Sequence, residues 1–269
     1  MSDSRSRPDG NDGPPLLEAR GIAKRFGRVH ALRGVDFEVH RGEVVGLLGD
    51  NGAGKSTLIK IFNGVYQADR GRILWEGAPV SFRSPRQVQE LGVAVVYQDL
   101  AVVDLMNIHR NMFLGREDAV SWRIGPFRVF RPRQAKRVAE EVLADIGIHI
   151  RDTDEPVMNL SGGERQSIAI AQAVHFSAKL LIMDEPTSQL SVKETNKVLH
   201  YIEEARSRGV SVIFITHNIR HVYPVADRFC VLSHGESIGQ FRRGEVTEEE
   251  VTDLIVRGRD SGRALRPED

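Results

Sequence analysis

Residues Gly49-Asp50-Asn51-Gly52-Ala53-Gly54-Lys55-Ser56-Thr57 fit the pattern G-x-x-x-x-G-K-[ST]. The chemistry is anion binding. Glycines let backbone N–H groups turn inward around a phosphate, and the N-terminus of a following helix adds partial positive charge. Lys55 would place a point charge on the outer phosphates, and Ser56 would offer its hydroxyl to Mg²⁺. The competing reading is an ordinary glycine-rich turn. It is weakened by context: the apolar run Glu43–Leu48 precedes the loop as a strand, and Leu58-Ile-Lys-Ile-Phe follows it as a helix.

A second candidate closes the apolar run Leu180–Met183, which ends in Asp184-Glu185-Pro186. Two carboxylates at the end of a buried strand are costly without a positive partner. Mg²⁺ on a nucleotide is one such partner: Asp184 would hold the metal and Glu185 would polarise the attacking water. A solvated strand-to-loop edge is the alternative, and the phosphate loop upstream weighs against it. The third candidate, Leu160-Ser161-Gly162-Gly163-Glu164-Arg165-Gln166, opens a helix. Ser161 and Glu164 form a capping box by spacing. Two adjacent glycines add entropy cost to a mere cap, whereas a phosphate approaching a bare helix N-terminus favours them.

The elements that must position these groups alternate. Leu16–Ile22, Val35–Val39, Glu43–Leu48, Val93–Tyr97, Leu180–Met183 and Val210–Thr216 read as strands, several apolar throughout as in strands buried on both faces. Arg133–Ile146 carries apolar residues at helical spacing, and Ile168–Val174 suits a helix apolar on more than one face. This order predicts an α/β fold with parallel strands. The stretch from about Asn107 to Ser177 shows helix patterns and no convincing strand, so a helical insertion is expected there.

These motifs, in this order, resemble the nucleotide-binding subunit of ATP-binding-cassette (ABC) transporters over roughly residues 16–257. The resemblance implies a P-loop ATPase core with an N-terminal antiparallel β subdomain and a helical signature subdomain inserted at 99–178. Flexible tails are expected at 1–15 and 258–269. It also implies roles for further residues. Gln98 would sit beside Mg²⁺ and the water, Phe26 would stack on adenine, and His217 would contact the γ-phosphate. Ser161, Gly162, Gly163 and Glu164 would act on ATP held by a second copy of the chain, giving a homodimer with ATP between the subunits. Zinc at His217 and His221 is rejected, because no carboxylate follows His217 as in H-E-x-x-H. Two positions depart from the family: Glu164 replaces the usual Gln, and Ser188-Gln189-Leu190-Ser191 replaces the usual Ser-Ala-Leu-Asp, removing a charge.

Composition bounds the rest. Lys plus Arg and Asp plus Glu each number 37, so no basic field favours bulk nucleic-acid binding. Hydrophobic residues at 41% and charged residues at 28% describe a globular chain. The single cysteine, Cys230, excludes an internal disulfide. No apolar run approaches the roughly 18 to 20 residues of a membrane span. A transport role therefore needs separate membrane permease subunits, placing the chain at the cytoplasmic face of the membrane. Gln98–Glu117 and Thr216–Val222 resemble ribose- and fructose-type importers, which work with a periplasmic or extracellular sugar-binding protein. Importers of other solutes such as amino acids, a non-transport ABC ATPase and an inactive binding subunit are the alternatives. The basic run Arg116–Arg137, with Trp122, Phe127 and Phe130 interleaved, is read as a surface loop beside the membrane subunit and not as a nucleic-acid patch.

Overall fold

A computed structural model describes residues 13–97, 102–124 and 126–258. Strands β1 (Leu17–Phe26), β2 (Val29–Val39) and β3 (Val44–Leu48) lead into helix α1 (Lys55–Phe62). Then come β4 (Arg70–Trp75), β5 (Ala78–Val80), α2 (Pro85–Glu90) and β6 (Val93–Val96). A second group contains α3 (Ile108–Met112), β7 (Ser121–Ile124), β8 (Phe127–Phe130), α4 (Pro132–Asp145) and α5 (Gly162–His175). The chain returns through β9 (Leu180–Asp184), α6 (Val192–Ser207), β10 (Ser211–Thr216), α7 (Ile219–Val222), β11 (Arg228–Ser233), β12 (Glu236–Arg242) and α8 (Glu248–Arg257).

The continuous apolar runs make the central sheet, ordered β12-β11-β3-β10-β9-β6, parallel except for the β12 edge. Alternation sends successive residues of these strands to two cores, so both faces are apolar along most of their length. Val45, Leu47, Ile182, Ile213 and Ile215 face one core, shared with α1 and the antiparallel sheet β2-β1-β4-β5. Val44, Leu48, Met183, Val212 and Phe214 face the other, shared with α5, α6 and α8. A third core lies between α3, α4 and α5. Helix α5 serves two of them, sending Ile170 and Ala173 to the sheet and Ile168 and Ala171 to the third core. That is why its sequence is apolar on more than one face.

Two expectations need correction. The insertion is not wholly helical: β7 and β8 pair as an antiparallel hairpin. Trp122, Phe127 and Val129 stay exposed and only Phe130 packs on a core, so the usual burial pattern gave no strand signal. The antiparallel strands β1 and β2 also run longer than their apolar stretches, because their outer ends alternate with charged, exposed residues. The expected tails fall almost entirely outside the described residues.

The two large sheets are pinned by Arg228 at the start of β11. Its guanidinium donates to Glu43 Oε1 and Oε2 at 2.9 and 3.0 Å, and to Glu38 Oε1 and the Glu38 carbonyl at 2.9 and 2.7 Å. Burial opposes its charge, but these carboxylates outweigh it and raise its pKa further. Arg228→Gln would remove the buried cation that Glu38 and Glu43 share. A loss of about 3 kcal/mol is expected, or roughly 6–12 °C in Tm by calorimetry. An unchanged Tm would show the clamp to be idle.

Candidate functional site

Parallel strands bring β3, β10 and β9 to one edge at their carboxyl ends, where open α/β sheets take ligands. The phosphate loop leaves β3 there. Gly49 has φ +148° and Gly54 has φ +106°. Both positions are also crowded: a Cβ would lie 2.3 Å from the Leu232 carbonyl at Gly49 and 2.7 Å from the Ala31 carbonyl at Gly54. Helix α1 starts with no side-chain cap and no acidic residue in its first turn, so its end N–H groups stay available to an anion. Lys55, only 7% exposed, donates to the Gly49 and Asp50 carbonyls at 2.7 and 3.1 Å. Burial lowers its pKa, and the charges of Glu185, Asp184 and Asp50 oppose that shift.

The acidic strand end faces this lysine. Burial, reinforced by Glu185, raises the Asp184 carboxyl above its usual range, while Lys55 and Lys60 pull it down. No hydrogen bond contributes to that balance. A half-buried carboxylate within reach of the charge of Lys55, and to which no described residue donates a hydrogen bond, fits a hard divalent cation completed by the exposed Ser56 hydroxyl, phosphate oxygens and water. Glu185 is held quite differently. Its backbone has φ +51°, an uncommon value for a non-glycine residue, and its N–H donates to the Ile215 carbonyl at 2.9 Å. Its carboxylate accepts from the His217 N–H at 3.0 Å, His217 Nδ1 at 2.8 Å and Thr216 Oγ1 at 3.2 Å. The structure thus brings Glu185 and His217 together. His217 remains half-exposed, leaving the rest of its ring accessible.

Sequence reasoning missed Thr216, which is fully buried and also accepts from the Asn218 N–H at 3.1 Å. It also missed the pairing of Thr187 Oγ1 with His221 Nδ1 at 2.9 Å. His221 therefore serves the loop after the acidic strand, while His217 serves Glu185. Nothing local in the sequence signals either contact.

Ser161 caps α5 as the spacing predicted: its Oγ accepts from the Glu164 N–H at 3.3 Å, and Glu164 Oε2 accepts from the Ser161 N–H at 2.9 Å. The glycine pair has a packing reason as well. A Cβ on Gly162 would lie 2.7 Å from Leu190 Cδ2, and one on Gly163 would lie 3.1 Å from Glu194 Cβ. Ser191, where the family has Asp, caps α6 and donates from Oγ to Glu194 at 2.8 Å. Hydrogen bonds from Ser191, joined by Ser161 and Gly163, hold the Glu194 carboxylate below its usual range. The loop and the signature helix are thus tied within one chain. Phe26 ends β1, is 41% exposed, and meets Tyr66 edge-on at 5.1 Å. From its turn β2 runs to Ala31, whose carbonyl closes over Gly54. Gln98 lies outside the described residues.

The fold and this site define a P-loop ATPase. Residues 32–188 match the ABC transporter family. The chain is 45% identical over 241 residues to the xylose/arabinose import ATP-binding protein XylG of Sulfolobus acidocaldarius, covering 90% of this chain and 94% of that one. It is 44% identical to the fructose import ATP-binding protein FrcA of Rhizobium meliloti, covering 80% and 83%. It is 39% identical to the ribose import ATP-binding protein RbsA of Hahella chejuensis, and there spans about half of the relative, 47%. A crystal structure of a nucleotide-free ATP-binding cassette from an ABC transporter superposes with a TM-score of 0.76 at 23% identity, covering 95% of this chain and all of the other. The chain belongs to the ABC transporter family, as an ATP-hydrolysing subunit.

Proposed function

We propose that this chain powers import of a monosaccharide, of the xylose, arabinose, fructose or ribose kind. The observation that carries the reading is the 44–45% identity, across most of both chains, with subunits named for xylose/arabinose and fructose import. The cassette spans residues 16–257, with the signature subdomain, largely helical but carrying the β7–β8 hairpin, inserted at 99–178. It works at the cytoplasmic face of a membrane, attached to permease subunits and served by an external sugar-binding protein. No helix among the described residues is long and apolar enough to cross a membrane itself.

The site residues divide the labour. First-turn N–H groups of α1 and Lys55 bind the β- and γ-phosphates, Phe26 stacks on adenine, and Asn51 to Gly54 wrap the phosphates. Ser56, Asp184 and Gln98 would hold Mg²⁺, which supplies charge neutralisation on the phosphate oxygens when bound. Glu185 takes the proton of the attacking water or orients it, and its three hydrogen bonds keep it aimed. His217 joins Glu185 to the γ-phosphate. The Ser161 hydroxyl and the Gly162–Glu164 N–H groups complete the site on the opposing subunit of a homodimer, so closure of the pair accompanies ATP binding.

Closure must reach the permease. A cleft of about 430 Å³ opens between β6, α2 and α5, lined by Asn63, Arg86, Val95, Arg116, Gln172 and Phe176. It begins where β6 ends, next to the expected Gln98 segment, and is suited to a short cytoplasmic helix of the permease. The test is uptake. Deleting the gene is expected to abolish radiolabelled uptake of one or more monosaccharides and to spare amino acids. Loss of amino-acid uptake with every sugar unaffected would overturn the sugar assignment and leave the ATPase standing.

A further inference from the structure

The nucleotide chemistry makes no use of the basic, aromatic run 116–137. Within it, β7 and β8 form a hairpin whose register pairs Trp122 with Val129 and Arg123 with Arg128. Side chains alternate across a strand, so Trp122, Phe127 and Val129 share one face, and Arg123, Arg128 and Phe130 the other. The two faces meet different surroundings. Phe130 packs against the α3–α4–α5 core, with the Arg110 guanidinium 5.6 Å from its ring. Trp122, Phe127 and Val129 are 56%, 72% and 47% exposed. The Arg131 guanidinium, 4.2 Å from the Trp122 ring, lies against that face.

The hairpin is braced. The Arg131 N–H donates to the Val120 carbonyl at 3.1 Å, Ser121 Oγ donates to the Glu117 carbonyl at 2.6 Å, and Arg128 pairs with Asp118. A rigid element that presents two large apolar side chains and a valine to water marks an interaction surface. Its position narrows the partner. A single short turn, Glu117–Val120, separates it from Arg116, which lines the cleft assigned above to the permease. The hairpin therefore stands beside the membrane-directed side of the chain, a placement that rests on the importer reading. Its rim is cationic, with Arg123 and Arg133 exposed and Arg131 half-exposed.

We propose that this hairpin seats directly on an anionic bilayer. Trp122, Phe127 and Val129 enter the headgroup boundary, and Arg131, beside the Trp122 ring, and Arg133 meet lipid phosphates. Tryptophan beside arginine is the chemistry of that boundary: the ring is apolar with one polar edge, and the guanidinium complements negative headgroups. Aromatics beside arginines can also stack on single-stranded nucleic acid, and the test below includes an oligonucleotide to separate the two.

The two tryptophans make the test direct. Trp75 is 4% exposed and packed in the core, so a lipid-dependent change in emission reports Trp122. The purified full chain is mixed with vesicles of phosphatidylcholine, with or without about one third phosphatidylglycerol. Sedimentation with the anionic vesicles, a shift of emission to shorter wavelength, and quenching by brominated lipid are expected, all weakening as salt rises. The Phe127→Ser/Val129→Ser double variant is expected to bind these vesicles at least about tenfold more weakly while hydrolysing ATP at the wild-type rate. The wild-type quenching measurement stands even if that variant folds poorly. Failure to sediment, binding without Trp122 quenching, or undiminished binding by a folded double variant would overturn the proposal. So would quenching by an oligonucleotide in place of vesicles, or dependence on Phe127 seen only for capture of the permease in detergent. The assay contains neither permease nor sugar, so a negative result here leaves the uptake result standing, and the reverse holds.

Discussion

Glu185→Gln is expected to leave ATP binding intact and to slow hydrolysis by roughly 10²–10³-fold, the scale of losing one group that acts on the transition state. The substitution is close to isosteric. An amide oxygen can still accept from the His217 and Thr216 donors that hold Glu185, and the φ of +51° is no harder for Gln than for Glu. What disappears is the basic oxygen. A phosphate-release assay alongside equilibrium ATP binding separates the two effects. The variant is also expected to accumulate as an ATP-bound dimer by size exclusion, because the nucleotide that joins the subunits is no longer consumed. Turnover near the wild-type rate would remove Glu185 from the role and shift attention to His217.

The second large effect comes from mixing two dead chains. Lys55→Ala removes the buried ammonium of the phosphate loop, and Ser161→Arg places a long side chain at the cap of α5. Each alone is expected to lose at least about a hundredfold in activity. In a 1:1 mixture half the dimers are mixed, and each mixed dimer holds one intact site, built from the loop of one chain and the signature of the other. Recovery of up to about a quarter of wild-type activity is then expected from the pairing statistics of a two-fold dimer. Wild-type specific activity should also fall on dilution. Activity that is independent of concentration, together with no recovery in the mixture, would place loop and signature action within a single chain.

Much of this protein is written in consecutive residues. The phosphate loop needs glycines, a lysine and a hydroxyl within one turn of chain. The capping box needs Ser161 and Glu164 three residues apart, and strands buried on both faces must be apolar throughout. Such requirements are local, so the sequence alone specified the α/β core, the order of its motifs and the candidate residues on them.

What the tertiary structure decided depends on elements distant in the chain. Glu185 and His217 meet because β9 and β10 run parallel with Asp184 opposite Ile215, a register that no local pattern encodes. Thr216 and His221 acquire their partners by the same route. The glycines of the signature look like an opening for phosphate, yet Leu190 and Glu194, arriving from the following loop and helix, also lie against the places their side chains would take. Arg228 is one more charged residue in the sequence, and only the approach of two sheets turns it into a clamp. The hairpin at 121–130 gave no strand signal because periodicity identifies a strand through its buried face, and here the apolar face points to solvent.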